Sequence, residues 1–386
     1  MTENNHPSLS SPARKNARGD FNCAAHSLRG IAAMMVFCAH LLGGTAEHIY
    51  QNHSDYVAFV VRPWQFGVYG VELFFTISGF VILPSILRYS AGQFALRRLL
   101  RLYPLFFALT LLFVLLNSVT NEYPETNNWR AIIGGFTFTN LFLQTEQLTP
   151  NAWSLTYEVM FYILTCLGVT FLVKQRRWVV GGLVLFLSVL FLFRYPIATY
   201  FLFGLGIRVL HDRGVSLRRE LAWPLELAAA LFCIYFASSA WFAYKPADVT
   251  NPFLIATMLS TATYFFLAVS PGSLTGRLLA GPAMTYLGTV SYSLYLVHPY
   301  TYYVMRLLFV KLGLFTDHIA LSMLLFFLVT TPITLLVTHV IHHLIELGPY
   351  QWFFRQRVYR VRGAERAQIA AAGNRAVARA AALRDG

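Results

Sequence analysis

The chain has 386 residues, 56% of them hydrophobic and 12% charged, a balance that excludes a water-soluble domain. Its apolar residues fall in blocks of about 20, the length at which a helix crosses a bilayer with its backbone groups satisfied internally. The formal charge of +13 does not point to nucleic acid, because the basic residues lie between apolar blocks, as the positive-inside rule requires of a membrane protein.

Residues 1–26 are polar, carry Arg14, Lys15 and Arg18, and read as a disordered cytoplasmic N-terminus, not a cleaved leader. Ten apolar blocks follow, near 27–46, 66–87, 104–120, 153–173, 178–194, 196–211, 222–243, 251–270, 284–309 and 319–345. The sixth is short enough to be tilted or re-entrant, and 131–144 is too short and polar to span, so it is expected at the interface. The sequence therefore predicts an all-α polytopic integral membrane protein of about ten transmembrane helices. With the N-terminus inside, 24 of the 30 Lys and Arg fall on the cytoplasmic side, which puts both termini there. The outer loop 121–151 is acidic instead, with Glu122, Glu125 and Glu146. One membrane domain, 27–350, precedes a basic cytoplasmic tail, 351–386. The cysteines Cys23, Cys38, Cys166 and Cys233 form no CxxC and read as small hydrophobes.

Titratable side chains inside spans are costly and mark function by default. The first block holds two basic groups, Arg29 near its start and His40 deep inside, eleven residues apart. On a helix that separation places them on one face, ~16 Å apart along the axis. Three more embedded groups follow: Glu72, Glu158 and His298. Counting ~1.5 Å per residue along each span brings all four to one level, somewhat outward of the midplane. A lone histidine in a span is as readily explained by a hydrogen bond to a backbone carbonyl; an embedded glutamate without a partner is harder to explain so. Four at one depth favour a site.

At the cytoplasmic mouth, Arg97, Arg98 and Arg101 precede the third span, whose first turn is expected to take Pro104. Arg97 reads best as a topology signal; with Arg29, the other two could clamp phosphates. His339, His342, His343 and Glu346, near the end of the last span, have spacings a metal could use. Histidines at a helix C-terminus also suit its dipole, and no metal is expected.

Five stretches resemble the membrane-bound acyltransferase-3 family. Ser27-Leu-Arg-Gly-Ile-Ala-Ala through His40 is similar to its first-helix signature, and Gly67-Val-Tyr-Gly-Val-Glu-Leu-Phe-Phe to its second, with Glu72 where many members have Asp. Arg97-Arg98 through Pro104, Trp153-Ser-Leu-Thr-Tyr-Glu-Val-Met-Phe-Tyr162 and Leu287-Gly-Thr-Val-Ser-Tyr-Ser-Leu-Tyr-Leu-Val-His298 complete the set. Many members carry two adjacent acids in the Trp-Ser-Leu element, but here Val159 follows Glu158. The closing Glu-x-Pro is loosened to Glu346-Leu-Gly-Pro349.

The resemblance implies an O-acyltransferase of the bacterial inner membrane, moving an acyl group from cytosolic acyl-CoA, acetyl-CoA in the first place, to a hydroxyl of a surface or exported carbohydrate or glycolipid. Acyl-CoA is then a donor substrate, with no tightly bound cofactor. Arg29, Arg98 and Arg101 would hold its phosphates. His40 would act as general base or receive the acyl group, and Glu72 or Glu158 would orient it. His298 would contact acceptor or thioester, while Trp153, Ser154, Tyr162, Ser291 and Tyr295 would support the acceptor side. Some members carry a fused extracytoplasmic domain; without one, a glycan-assembly protein is a candidate partner. The rival is a proton-coupled transporter or flippase using the same embedded groups. Against it, the chain lacks the paired broken spans that mark many transporters.

Overall fold

The computed structural model describes residues 21–149, 151–239 and 242–353, where every regular element is helical. The expected polar N-terminus up to residue 20 and the tail from 354 lie outside the described residues. Each of the ten apolar blocks contains a helix: α1 Cys23–His48, α2 Gly70–Arg88, α3 Ala91–Thr120, α4 Ala152–Gly168, α5 Trp178–Arg194, α6 Thr199–Asp212, α7 Arg219–Ser239, α8 Pro252–Val269, α9 Pro282–Lys311 and α10 Ile319–Ile341. Among the described residues, seven helical stretches are singly long and apolar enough to cross a membrane, those built on α1, α2, α3, α4, α7, α8 and α10. The α5–α6 pair qualifies only jointly and bends by 118° around Tyr195. The thirty-residue α9 is long enough, but its serines, tyrosines and His298 make it too polar for that set.

Several helices extend beyond their blocks for local reasons. A capping box between Ser90 and Gln93 starts α3 at Ala91, so Pro104 lies inside that helix and not in its first turn. At thirty residues α3 is ~45 Å long, more than a hydrocarbon core needs, and its first three turns carry the arginines. A 3-10 segment, Arg62–Tyr69, leads into α2, and π-helical turns extend α4 over Val169–Lys174 and α10 over His342–Leu347. The 131–144 piece folds as two short helices, Trp129–Thr137 and Asn140–Leu143.

Small residues set the closest helix contacts, as in membrane bundles where apolar burial alone does not drive association. Along α1 and α9, a Cβ on Gly30 would fall 2.6 Å from the Leu287 backbone, and one on Gly288 would fall 2.2 Å from the His26 carbonyl. The α2–α6 crossing is tighter: a Cβ on Gly79 would come 2.0 Å from the Phe201 carbonyl, and one on Gly204 1.8 Å from that of Thr76. By contrast, α5 buries only Gly181 and Val184, and its outer Leu, Val and Phe side chains form an apolar face suited to lipid.

Candidate active site

The α1–α9 contact brings the buried His298 imidazole against the half-buried one of His40. His40 Nδ1 and His298 Nε2 lie 2.8 Å apart, with the rings stacked at 5.1 Å and 24°. Phe37 and Tyr295 pack on His298 with ring centroids at 6.2 and 6.0 Å. The tautomers follow from the acceptors around the pair. His298 Nδ1 donates to the Leu294 carbonyl at 3.1 Å, so its Nε2 is an acceptor and His40 Nδ1 is the donor between the rings. His40 Nε2 is then left with a lone pair.

Pro299 shapes this point of α9. It lacks the N–H that would bond the Tyr295 carbonyl four residues back, and Asn151 Nδ2 donates to that carbonyl instead. Ser154 Oγ bonds Tyr295 Oη at 2.8 Å, so the Trp-Ser-Leu element ties the start of α4 to the histidine-bearing helix. Ser291 bonds the Gly288 carbonyl of its own helix at 2.9 Å.

The carboxylates go elsewhere. Glu158 accepts from Ser78 at 2.6 Å and from Tyr162, and Glu72 accepts from Tyr244 Oη at 2.8 Å. Neither provides the expected orienting bond to His40; His298 does that. The common depth fails because Glu158 pairs with Ser78, six residues along α2 from Glu72, which is ~9 Å of helix.

Glu158 belongs instead with the arginines. Arg29 and Arg98 come close enough to each other, to Arg101, to Glu158 and to Tyr162 for their charges to interact. Arg98 lies over the Tyr162 ring at 5.2 Å, and Arg29 Nε is buried with no hydrogen-bond partner among the described residues. Three cations against one carboxylate leave a surplus of positive charge. Arg97 stacks on Tyr89 at 4.1 Å.

On the far side of the histidines, a cavity of about 980 Å³ reaches His40 between the C-terminal part of α1, the Asn117–Thr126 stretch, the 146–149 segment and α9. Trp64, Tyr300 and Tyr302 wall it, with Glu47, Glu122, Glu146 and Arg306 among its lining residues. Glu72 and Trp153 open on a separate pocket of about 460 Å³, and Val68 borders both spaces.

The sequence reading passed over two buried polar contacts. Glu226 in α7 accepts from the backbone N–H groups of Leu274 and Thr275 at 2.8 and 2.7 Å, capping the short Leu274–Leu278 helix. Glu346 accepts from Ser293 at 2.6 Å and pairs with His342 at 2.7 Å, joining the π-helical turn to α9. Of the other two C-terminal histidines, His339 bonds Tyr286, and His343 Nδ1 donates to the His339 carbonyl at 2.9 Å. The i, i+4 spacing of His342 and Glu346 is local, but the bonds of Glu226 to Leu274 and Thr275, of Glu346 to Ser293 and of His339 to Tyr286 depend on long-range placement.

Comparison with known proteins gives two matches. A family model described as an acyltransferase domain, acyltransferase-3, matches residues 25–343. An uncharacterized protein of Haemophilus influenzae (strain Rd) is 30% identical over 184 residues, covering 43% of this chain and 74% of that protein. No solved structure matches.

Proposed function

The chain belongs to the acyltransferase-3 family, and from that premise we propose that this multi-pass membrane protein transfers an acyl group from cytosolic acyl-CoA to a hydroxyl of a carbohydrate or glycolipid. The observation that carries the reading is the position of His40 on α1, between the cluster of Arg29 with Arg98 and Arg101 of α3 and a large cavity that reaches the histidine. In this reading the protein crosses a bacterial inner membrane about ten times with both termini cytoplasmic, so the arginines face the cytosol and the cavity faces out.

Arg29, Arg98 and Arg101 bind the phosphates of the donor, and Glu158 with Tyr162 holds their guanidinium groups in place. The pantetheine arm runs along α1 over the ~16 Å to His40 and brings the thioester to the histidine pair. An acceptor hydroxyl enters from the cavity. His40 Nε2 takes its proton as its oxygen attacks the thioester carbonyl; the C–S bond then breaks, and the thiolate leaves with that proton as CoA–SH. His298 keeps Nδ1 of His40 protonated and the ring aligned, the part a carboxylate plays in other base dyads.

The test is thiol release from acetyl-CoA by the purified full-length protein in nanodiscs, with mass spectrometry of the added glycolipid fraction. Acceptor-dependent release that is lost in His40→Ala is the expected result. Near wild-type transfer by His40→Ala would remove the mechanism. Movement of an unmodified glycolipid between leaflets without thiol release would favour the transporter.

A further inference from the structure

The pocket beyond Val68 is not the one that reaches His40, and two buried polar atoms on it have no partner among the described residues. At its base Glu72 is 5% exposed; Oε1 accepts from Tyr244, whereas Oε2 is buried with no hydrogen-bond partner among the described residues. Tyr69 Oη, on the same pocket, is likewise buried and unpartnered. A carboxylate held out of water with half its acceptor capacity unused is costly unless a cation or a proton meets it.

The walls favour a cation too. Trp153, Tyr157 and Tyr195 form one side, in edge-to-face contact at 5.9 and 5.3 Å. Tyr69, Phe242 and Tyr244 form another, at 6.4 and 6.3 Å. Aromatic faces attract ammonium groups, and cages of this composition hold them in other proteins. The exposed lining residues have the opposite sign: Arg194, stacked on Tyr195 at 4.9 Å, and Lys245. The volume of about 460 Å³ suits a small molecule.

We propose that this pocket binds a zwitterion, its ammonium seated among the aromatic rings against Glu72 and its phosphate held by Arg194 and Lys245. An aminoalkyl phosphate has this charge pattern, whether as a free molecule or as the headgroup of an aminophospholipid. Glu72 is then a binding residue for this ligand, and the site stands independently of the transfer mechanism.

The experiment uses the full chain in phosphatidylglycerol nanodiscs, titrated with O-phosphoethanolamine and, separately, with glycerol 3-phosphate, which keeps the phosphate but lacks the ammonium. Saturable binding of phosphoethanolamine is expected, with glycerol 3-phosphate roughly tenfold weaker or more, as for loss of a desolvated charge pair. Glu72→Gln should weaken phosphoethanolamine by a similar factor. The paired surface changes Arg194→Ala and Lys245→Ala should also weaken it, and they probe the site even if Glu72→Gln misfolds. Phosphatidylethanolamine mixed into the nanodiscs will compete with the soluble probe if the lipid is the natural source, and will not if a free molecule is. Equal affinity for the two probes, no saturable binding of either probe, or affinity unchanged by the substitutions overturns the proposal. His40→Ala should bind normally, so failure of the transfer mechanism leaves this result readable.

Discussion

His40 and His298 share one hydrogen bond, Nδ1 to Nε2 at 2.8 Å, between two helices packed through Gly30 and Gly288. Two imidazoles at that distance cannot both present a proton to each other, so the outward-facing chemistry of His40 is decided by what His298 donates to. Because His298 spends its own proton on Leu294, His40 keeps a basic Nε2. Replacing His40 by Ala should lower acyl transfer by ~10²–10⁴-fold, the range for loss of a general base. His298→Ala should cost less and act on kcat with KM for acyl-CoA little changed, since it removes alignment and not donor binding. Steady-state kinetics of thiol release separate the two; a His298→Ala defect confined to KM would contradict this assignment.

The arginine cluster should show the converse split. Arg98→Ala and Arg29→Ala are expected to raise KM for acyl-CoA by roughly tenfold or more, as removal of a charge-assisted phosphate contact does. Arg97→Ala, stacked on Tyr89, should change KM little. An S-acyl pantetheine donor, which lacks the nucleotide phosphates, should be used no less well by the Arg98→Ala protein than by the wild type. A proportional loss with that donor would place Arg98 outside a phosphate clamp.

Gly43 tests the cavity. It lines that space, and a Cβ there meets nothing within 4 Å, so a larger side chain would point into the void without disturbing the packing. Gly43→Leu should leave thermal stability within a few degrees of wild type and raise KM for the acceptor while KM for acyl-CoA stays constant. Unchanged acceptor kinetics would exclude this route to His40.

How far the sequence reaches is visible in particular residues. The period-3.6 relation of Arg29 and His40 is a property of one helix, so their shared face was legible; the meeting of His40 with His298 was suggested by depth alone. The same depth count wrongly groups Glu72 with Glu158, because it assumes that every span starts at one level, whereas Glu158 meets α2 at Ser78, six residues beyond Glu72. Pro104 lies beyond the first turn because apolarity marks where a span enters lipid, not where the Ser90 cap starts the helix. Glu226 bonds Leu274 and Glu346 bonds Ser293, 48 and 53 residues away and beyond any local pattern, whereas the His342–Glu346 pair has the i, i+4 spacing of one helix.

The α2–α6 crossing should be intolerant of volume. A methyl on Gly204 would sit 1.8 Å from the Thr76 carbonyl, so the backbones must part. Gly204→Ala is expected to cost ~1–3 kcal/mol, the usual range for overpacking, read as a lowered unfolding temperature in detergent. Gly206→Ala, two residues along the same helix with nothing within 4 Å, is the matched control and should be near neutral. Equal effects of the two substitutions would show that the close approach does not limit stability.

Asn151 and Pro299 should prove energetically coupled. The proline leaves the Tyr295 carbonyl without its helical donor, and Asn151 Nδ2 takes over that acceptor. Asn151→Ala therefore strands a buried carbonyl, at ~1–3 kcal/mol. In Pro299→Ala the backbone N–H returns, so the same Asn151→Ala change should cost appreciably less in that background. A double-mutant cycle on unfolding in detergent measures the difference, and a coupling of about 0.5 kcal/mol or more is expected for residues sharing one acceptor. Additive effects would mean that the Tyr295 carbonyl finds another donor. The contact between the two helices would then rest on Ser154 Oγ and Tyr295 Oη, whose bond at 2.8 Å also joins them.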